Sequence, residues 1–425
     1  MARTVNLASR IRDGLPVELV DFMAAAVAAC QGHHVYLVGG VVRDLLLGRE
    51  NLDLDIVVEG DATGLARQLA SSTGAKLTSH PQFGTAKLSW RKWSVDFAAA
   101  RSETYSSPGA LPTVADGTLT DDLARRDFTI NAMAVRLNPD SFGDLVDEHD
   151  GRRDLERRLI RVLHKESFVD DATRIWRGLR YEQRLGFRLE RTTEKLVARD
   201  IPMLGTVSGD RIRNELELAL AEREPEKVLV RADQLKVLPA LHPALRADPW
   251  LVDRFAEARA VSDGVPPPGL YLALLTYPLT GEEVEDVIGR LRLPRPMARM
   301  LRDSHRLKMA LRKLGTTTLV PSDVHEMLSG YSPAVITAAQ LVASLPMAQR
   351  WLRVYQDELR HVRTELTGDD LMKMGVPAGK PVGEVLGQLL ADRLDGQVAS
   401  RKDEEAIVSR WLEDAGRGGD DATSS

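Results

Sequence analysis

The spacing of apolar residues changes near residue 150, and this change divides the chain into two kinds of structure. Before it, short apolar runs bounded by glycine and polar residues predict strands that alternate with helices. After it, from about residue 155 to residue 415, the apolar residues recur at helical spacing, and proline and glycine interrupt them at intervals. We therefore expect a mixed α/β head followed by a long series of helices.

Composition refines this division and limits the class of protein. The 425 residues include 43% hydrophobic side chains, which is enough for more than one packed core. The polar, glycine-rich end "DAGRGGDDATSS" is typical of disorder. The predicted divisions are a head (1–150), a helical neck (151–222), a helical body and tail (223–415) and a disordered tail (416–425).

Several features favour a cytoplasmic protein. Cys30 is the only cysteine, so the chain cannot form an internal disulfide, which fits a reducing compartment. Apolar runs such as "FMAAAVAAC" are too short to span a bilayer, and the N-terminus lacks the pattern of a secretory signal. We expect no membrane association and see no sign of an obligate protein partner.

One segment of the head, "LVGGVVRDLLLGRENLDLDIVV", suits a phosphorylated ligand. Gly39 and Gly40 join a predicted strand to a predicted helix, where bare backbone can approach a phosphate closely. Asp53 and Asp55 begin the next strand and point to the same face, so they can bind Mg²⁺. An isolated Asp-x-Asp is usually a solvated turn, but the glycines and Arg43 upstream favour a metal site that promotes phosphoryl transfer.

Two further segments of the head carry candidate residues. Asp96 lies on a predicted neighbouring strand, where it is either a third metal ligand or an ordinary acid at a strand end. In "LARRDFTINAMAV", Arg125 and Arg126 can hold phosphates, while Asp127 and Asn131 can hold a ribose or fix the arginines.

The segment "FVDDATRIWRGLRYEQRLGF" (168–187) places an acid ahead of a series of arginines. Its pattern predicts one helix, with Asp171, Arg174, Arg177 and Arg180 on a broad common face. The alternative to a binding role is an intrahelical Asp–Arg pair, which contributes only about 0.3–0.5 kcal/mol.

Together these strings resemble the class II tRNA nucleotidyltransferases, which are CCA-adding enzymes with bacterial poly(A) polymerases among their relatives. The strings that carry the resemblance are "LVGGVVRDLLLGRENLDLDIVV", "RRDFTINAMA", "DDATRIWRGLRYEQRLGF" and "VSGDRIRNELELAL", with a looser match at "LTGDDLMKMGVPAGKPVGEVL". The resemblance implies a nucleotidyltransferase head followed by an elongated, all-helical neck, body and tail. It also implies transfer of nucleotides from CTP and ATP to the 3′ end of tRNA, with two Mg²⁺ ions and no nucleic-acid template.

The resemblance implies roles for individual residues as well. The segment 170–174 corresponds to a Glu-Asp-x-x-Arg motif that reads the incoming base, although Asp170 replaces the Glu here. The implied roles are metal binding and catalysis for Asp53 and Asp55, contact with triphosphate or ribose for Gly40, Arg43 and Arg126, base reading for Asp171 and Arg174, and support for the phosphates from Arg177 and Arg180.

The chemistry of Asp171 and Arg174 supports base reading independently. An ionised Asp only accepts hydrogen bonds and an Arg only donates them. Cytosine and adenine present an amino donor beside a ring-nitrogen acceptor, whereas uracil and guanine present a carbonyl beside a ring N–H. The pair therefore suits C and A, and two mismatched polar groups can reject U and G by a factor of about 10⁴.

A second cluster of positive charge lies in the helical region. Residues 290–313 contain nine Lys or Arg residues against Asp303 alone. Four arginines recur on one predicted helix face, which suits either an RNA phosphate backbone or simply a solvated surface. This arginine stripe consists of Arg295, Arg299, Arg302 and Arg306.

Several related functions stay open at this stage. The same pocket serves both C and A, so the sequence does not separate a CCA-adding enzyme from a CC-only or an A-only enzyme. A poly(A) polymerase of this family commonly has a basic C-terminal extension, whereas this chain ends in an acidic, glycine-rich segment. A non-catalytic RNA-binding relative is disfavoured because both candidate metal-binding acids are present.

Overall fold

The chain forms two compact units in the computed structural model. The described residues are 5–29, 32–262, 264–316 and 318–420. Unit 1 comprises Met1–Arg246 and Gly289–Arg292, and unit 2 comprises Ala247–Ile288 and Leu293–Ser425. Cys30 and residues 421–425 of the predicted disordered tail lie outside the described residues. The division into head, neck, body and tail stays a prediction.

Unit 1 combines a β-sheet with flanking helices. Its strands are β1 (Val35–Val38), β2 (Leu54–Val58), β3 (Lys76–His80), β4 (Thr85–Trp90), β5 (Trp93–Ala99), β6 (Arg101–Thr104), β7 (Thr113–Asp116), β8 (Ala134–Arg136), β9 (Leu145–Val146), β10 (Leu159–Ile160) and β11 (Arg188–Leu189). Its helices are α1 (Ala8–Gly14), α2 (Val17–Ala29), α3 (Gly40–Leu47), α4 (Ala62–Thr73), α5 (Leu119–Ala124), α6 (Gly151–Arg157), α7 (Ser167–Asp170), α8 (Thr173–Leu185), α9 (Arg191–Asp200), α10 (Gly209–Leu220), α11 (Pro225–Gln234) and α12 (Val237–Leu241).

The main sheet has seven strands in the order β3-β4-β5-β2-β1-β8-β9. β2 and β5 are parallel, and the other neighbouring pairs are antiparallel. Every residue of β1 is buried, which explains why this central strand reads as an uninterrupted apolar run. The mixed sheet with flanking helices that the sequence predicts for the head is confirmed, as is the series of helices after it.

The turn from β1 into α3 requires glycine. Gly39 has a φ of 75°, in the left-handed region that residues with a Cβ atom rarely adopt. A Cβ atom at Gly39 would also lie 2.8 Å from Nη1 of Arg126. The backbone conformation and the close approach of Arg126 therefore both depend on the absence of a side chain.

The structure corrects the prediction of one continuous helix over residues 168–187. α7 ends at Asp170, α8 begins at Thr173, and Asp171 between them is extended, with a φ of −145°. The Asp171 carboxylate accepts hydrogen bonds from the backbone N–H and the hydroxyl of Thr173, at 3.0 and 2.6 Å. Because such a bond competes with helical hydrogen bonding, the chain breaks here, and Asp171 precedes α8 instead of lying on its face.

The stretch "YSSPGALPTVADGT" (105–118) is rich in serine, proline and glycine and therefore predicts a mobile loop, but it also contains regular structure. β7 lies within it and pairs with β6 in an antiparallel ribbon, in which Arg101 faces Asp116 and Thr104 faces Thr113. The serine, proline and glycine residues that suggested a loop are concentrated before β7, so the prediction holds for that part alone.

The remaining helices belong almost entirely to unit 2. They are α13 (Pro249–Val261), α14 (Pro268–Thr276), α15 (Gly281–Leu291), α16 (Arg295–Thr316), α17 (Pro321–Leu328), α18 (Pro333–Val342), α19 (Pro346–Asp357), α20 (Gly368–Lys373), α21 (Lys380–Leu394) and α22 (Arg401–Asp420). Half of them begin at proline, whose missing N–H would have no helical partner at that position. One apolar core joins α16 to α19, and a second joins α20 to α22. None of the described helices is long and apolar enough to cross a membrane.

Candidate active site

A cavity of about 710 Å³ in unit 1 collects residues from the sheet and from the helices that follow it. Strands β2, β4 and β5 contribute residues to its lining, and so do helices α8 and α10. The predicted site residues that line it are Gly40, Asp55, Arg126, Asp171, Arg174 and Arg177, together with Asp96, Arg125, Asp127 and Asn131. The structure thus brings Asp55 and Asp96 to one cavity with Asp171 and Arg174, whereas Asp53 does not line this cavity.

The acids of the head lie close together. Asp55 in β2 stands directly opposite Asp96 in the parallel strand β5, and Asp53 immediately precedes β2. Burial, together with the negative charges of Asp53 and Asp96, raises the pKa of Asp55 to about 6, although Arg126 opposes this rise. Because a divalent cation would offset the repulsion and prefers carboxylate oxygens, Asp53 and Asp55 fit a Mg²⁺ site. A cluster of three or more metal-ligating side chains is not found among the described residues.

Arg126 is held beside the glycine turn. Its Nε and Nη2 donate to Oδ2 of Asp122 at 3.2 and 2.9 Å, and the Asp122 side chain is fully buried. The remaining nitrogen, Nη1, is the group that approaches Gly39. A fixed guanidinium beside bare backbone, at the start of α3, suits a phosphate group.

Arg43 is placed differently from the prediction. Its side chain is buried, does not line the cavity, and forms a two-pronged ion pair with Asp44. Nη1 of Arg43 donates to Asn131 at 2.8 Å, and its guanidinium lies 5.3 Å from the centre of the Tyr181 ring. Arg43 therefore supports the wall of the cavity through Asn131 and Tyr181.

Asp171 lines the cavity, and one of its carboxylate oxygens makes contacts within the protein. Oδ1 accepts both hydrogen bonds from Thr173 and lies 2.8 Å from Nη2 of Arg211. Within the described part of the chain, Oδ2 has no such partner. One acceptor of Asp171 is therefore available for a ligand, while Oδ1 holds the group in place.

Arg174 is buried and fixed from two directions. Nη1 donates to the hydroxyl of Ser167 at 2.8 Å, and Nη2 donates to the backbone carbonyl of Arg125 at 2.8 Å. A guanidinium carries five N–H donors, so Nε–H and the second N–H of Nη2 stay available in this arrangement. Since Arg174 and Asp171 line the same cavity, a donor and an acceptor are presented together.

The other two predicted site arginines of α8, Arg177 and Arg180, have separate surroundings. Arg177 lines the cavity and bonds to Glu215 at 3.1 Å and to Asp127 at 3.3 Å. Arg180 does not line the cavity, and its guanidinium lies 3.8 Å from Glu215 and 3.7 Å from Glu222. The structure brings Arg177 to the candidate site but does not bring Arg180 there.

Two family models match this chain. "Poly A polymerase head domain" matches residues 35–161, and "Probable RNA and SrmB- binding site of polymerase A" matches residues 186–248. The first match contains the acids, the glycine turn and Arg126.

Curated relatives extend the similarity over most of the chain. The A-adding tRNA nucleotidyltransferase of Geobacter sulfurreducens is 39% identical over 90% of this chain, which spans 45% of that protein's length. The A-adding tRNA nucleotidyltransferase of Halalkalibacterium halodurans is 33% identical, with 87% of each chain covered. The chain belongs to the tRNA nucleotidyltransferase family. A CC-adding member from Deinococcus radiodurans is also 33% identical, over 88% of this chain and 89% of its own.

Solved structures of family members are similar to this fold. CCA-adding enzyme in complex with ATP has a TM-score of 0.79 at 31% identity, covering 97% of this chain and 100% of that one. The complex with CTP has a TM-score of 0.78 at 31% identity and the same coverage. The Thermotoga maritima CCA-adding enzyme complexed with tRNA has a TM-score of 0.75 at 31% identity, again with 97% and 100% covered.

Sequence reasoning missed several cavity residues of this family member. Arg211 pairs with Asp171, and its Nη1 lies 3.4 Å from the carbonyl of Gly109. Tyr105 donates to Glu103 at 3.0 Å, and burial next to that acid raises the pKa of Tyr105 to about 12. Lys87 pairs with Asp96. Arg211 lies within one of the strings that carried the resemblance, whereas the others become visible only from strand pairing and burial.

The arginine stripe lies on α16 in unit 2, as the pattern predicts. Arg302 forms a two-pronged bond with Glu285, at 2.6 Å for both contacts. Arg299 lies 3.5 Å from Asp303, and Arg306 also pairs with Asp303. Arg295 and Arg299 line a cavity of about 560 Å³. A role in RNA binding stays a prediction, with Arg295 and Arg299 the better candidates.

Proposed function

We propose that this chain adds C and A nucleotides from CTP and ATP to the 3′ end of tRNA and thereby completes the CCA sequence. The observation that carries the proposal is the common cavity of Asp55, Asp171 and Arg174. It joins Asp55, a candidate metal-binding acid, to a donor and an acceptor that suit C and A. Membership of the tRNA nucleotidyltransferase family, whose members are named for such additions, supports it.

In this proposal the tRNA 3′-hydroxyl attacks the α-phosphorus of the nucleotide, and pyrophosphate leaves from the opposite side. Asp53 and Asp55 would hold two Mg²⁺ ions, which supply charge stabilisation to the reacting oxygens. Arg126 and the glycine turn bind and orient the triphosphate. Arg177, fixed by Asp127 and Glu215, adds positive charge to the same cavity.

The incoming base is chosen by two side chains with opposite polarity. Oδ2 of Asp171 accepts from the amino group of cytosine or adenine, and the remaining N–H groups of Arg174 donate to the adjacent ring nitrogen. Uracil and guanine would present an acceptor to Asp171 and a donor to Arg174. Leaving these buried groups unpaired costs about 1–3 kcal/mol for each of them, so U and G are refused.

A second candidate is an enzyme that adds only the terminal A. Relatives named as A-adding, at 39% and 33% identity, favour it. The reading pair is the same in both cases, because cytosine and adenine share the polarity that it recognises. The difference between the candidates lies in which tRNA end the enzyme accepts.

The test supplies each of the four nucleotides singly to tRNAs that end at the discriminator base, at C and at CC. A CCA-adding enzyme should add C to the first two ends and A to the third. Addition of A to the CC end alone would establish the A-only function. Repeated A addition to every end would indicate a poly(A) polymerase, and no addition at all would refute the proposal.

A further inference from the structure

Lys87 places an ammonium group against the acids of the candidate site. β4 and β5 are antiparallel, and their register sets Lys87 opposite Asp96. Lys87 Nζ lies 3.0 Å from Oδ2 of Asp96. Lys87 therefore pairs with Asp96, the acid that the sequence analysis left open between a third metal ligand and an ordinary acid at a strand end.

Asp96 is at the same time the neighbour of Asp55. Their strands are parallel and paired in register, so the two carboxylates project from the same face of the sheet. Asp53, which immediately precedes β2, adds a third negative charge, and the three carboxylates repel one another. In the absence of a bound metal ion, the Lys87 ammonium offsets part of this repulsion.

We propose that the Lys87 ammonium group stays paired with the Asp96 carboxylate while no nucleotide is bound. Asp53 and Asp55 then bind a divalent cation without help from Asp96. This inference rests on the proposed function, which makes Asp53 and Asp55 metal ligands. Asp96 joins them only after Lys87 has left. An arriving triphosphate promotes that departure, because its oxygens offer the ammonium group other acceptors.

The contact between Lys87 and Asp96 is suited to exchange. Their side chains are 52% and 39% exposed, and ion pairs at such positions contribute little net stability because water and salt screen them. The lysine backbone is fixed in β4, so only a flexible side chain has to move. A divalent cation, with twice the charge of an ammonium group, can compete for the same carboxylate.

The test measures binding of Mn²⁺ to the nucleotide-free full chain, by calorimetry and by the electron paramagnetic resonance signal of free Mn²⁺. Lys87→Met removes the ammonium group, and we expect Mn²⁺ to bind about tenfold more tightly. Lys76→Met is the matched control, because Lys76 lies on the same sheet with Ser89 as its partner in register. It removes the same charge and should leave Mn²⁺ affinity nearly unchanged, and Lys87→Arg should retain the wild-type value.

A double variant tests whether the gain in Mn²⁺ affinity comes from the Asp96 carboxylate that Lys87 no longer pairs with. Lys87→Met combined with Asp96→Asn should lose the gain in Mn²⁺ affinity. Wild-type affinity in Lys87→Met, with weaker binding in Asp55→Asn, would overturn the role of Lys87 and leave the proposed function standing. Equal binding by Asp55→Asn and the wild type would instead overturn the metal assignment on which both depend.

Discussion

The arginines of the cavity and those of the stripe on α16 have similar spacing in sequence but different surroundings. Arg174 is buried and donates to acceptors 7 and 49 residues away in sequence. Arg177 contacts acids that are 38 and 50 residues away. In the stripe, by contrast, the side chains of Arg299 and Arg306 are 74% and 66% exposed, and both pair with Asp303 within about one helical turn.

This difference distinguishes recognition of one particular ligand from general electrostatic attraction to phosphates. Partners that are distant in sequence, together with burial in the case of Arg174, restrict these cavity guanidinium groups to one arrangement, which suits a ligand with one hydrogen-bonding pattern. Exposed arginines with local partners keep their rotational freedom and are screened by salt, which suits sequence-independent contact with phosphates. Changes in the cavity should therefore alter the rate or the choice of nucleotide, whereas changes in the stripe should alter affinity and its salt dependence.

The largest expected effect comes from the acids beside the cavity arginines. Asp55→Ala should reduce nucleotide transfer to background, because it removes a candidate ligand of the catalytic cations. Binding of tRNA should stay near the wild-type level, since no stripe residue is changed. The measurement is incorporation of labelled nucleotide over a range of Mg²⁺ concentrations, with tRNA affinity determined in parallel. Near-normal, Mg²⁺-dependent activity would refute the assignment of Asp55.

A smaller, uniform effect is expected at Arg177. Arg177→Met should lower kcat/KM about ten- to a hundredfold for CTP and ATP alike, because a charged hydrogen bond to phosphate contributes roughly 1.5–3 kcal/mol and carries no base information. Arg184→Met is the matched control, since Arg184 lies on the same helix and pairs with Glu222 at a more exposed position. A change in the ratio of the two nucleotides would contradict a phosphate contact and move Arg177 to base reading.

The smallest effect concerns the stripe. Neutralising Arg295 and Arg299 to glutamine should weaken tRNA binding and lower its salt slope by about one unit for each lost contact. Neutralising Arg302 and Arg306 should have less effect, because their ion pairs with Glu285 and Asp303 are closer than the 3.5 Å contact of Arg299. The measurement is tRNA affinity at several salt concentrations. Identical slopes for both variants and the wild type would make the stripe a solvated helix face.

The sequence predicts the head of this molecule better than the details of its cavity. The β1–α3–β2 unit can be predicted from sequence because apolar periodicity, the Gly39–Gly40 turn and the acids at the start of β2 all occur within 22 consecutive residues. Each of these features is determined by residues that are close together in sequence, so a short stretch of sequence is enough to predict it.

Features that depend on tertiary contacts were beyond sequence reasoning. Arg180 shares the spacing of Arg174 and Arg177, yet it does not line the cavity and instead lies 3.8 Å from Glu215 in α10 and 3.7 Å from Glu222 just after α10. The contact between Lys87 and Asp96 depends on strand register, which a one-residue shift would reverse. The break at Asp171 could have been anticipated, because an Asp that precedes a helix by two residues commonly bonds to its first turn.

The central claim is that Asp171 and Arg174 choose the nucleotide, and Asp171→Asn tests it most directly. The amide oxygen can keep the contacts that Oδ1 makes with Thr173 and Arg211, which places an NH₂ donor at the position of the acceptor Oδ2. The measurement is single-nucleotide addition to one tRNA acceptor with each of the four triphosphates. We predict that CTP and ATP incorporation falls and that UTP and GTP incorporation rises relative to them, by about ten- to a hundredfold. Loss of activity with all four nucleotides in wild-type ratios would contradict the account and leave Asp171 as a structural residue at the start of α8.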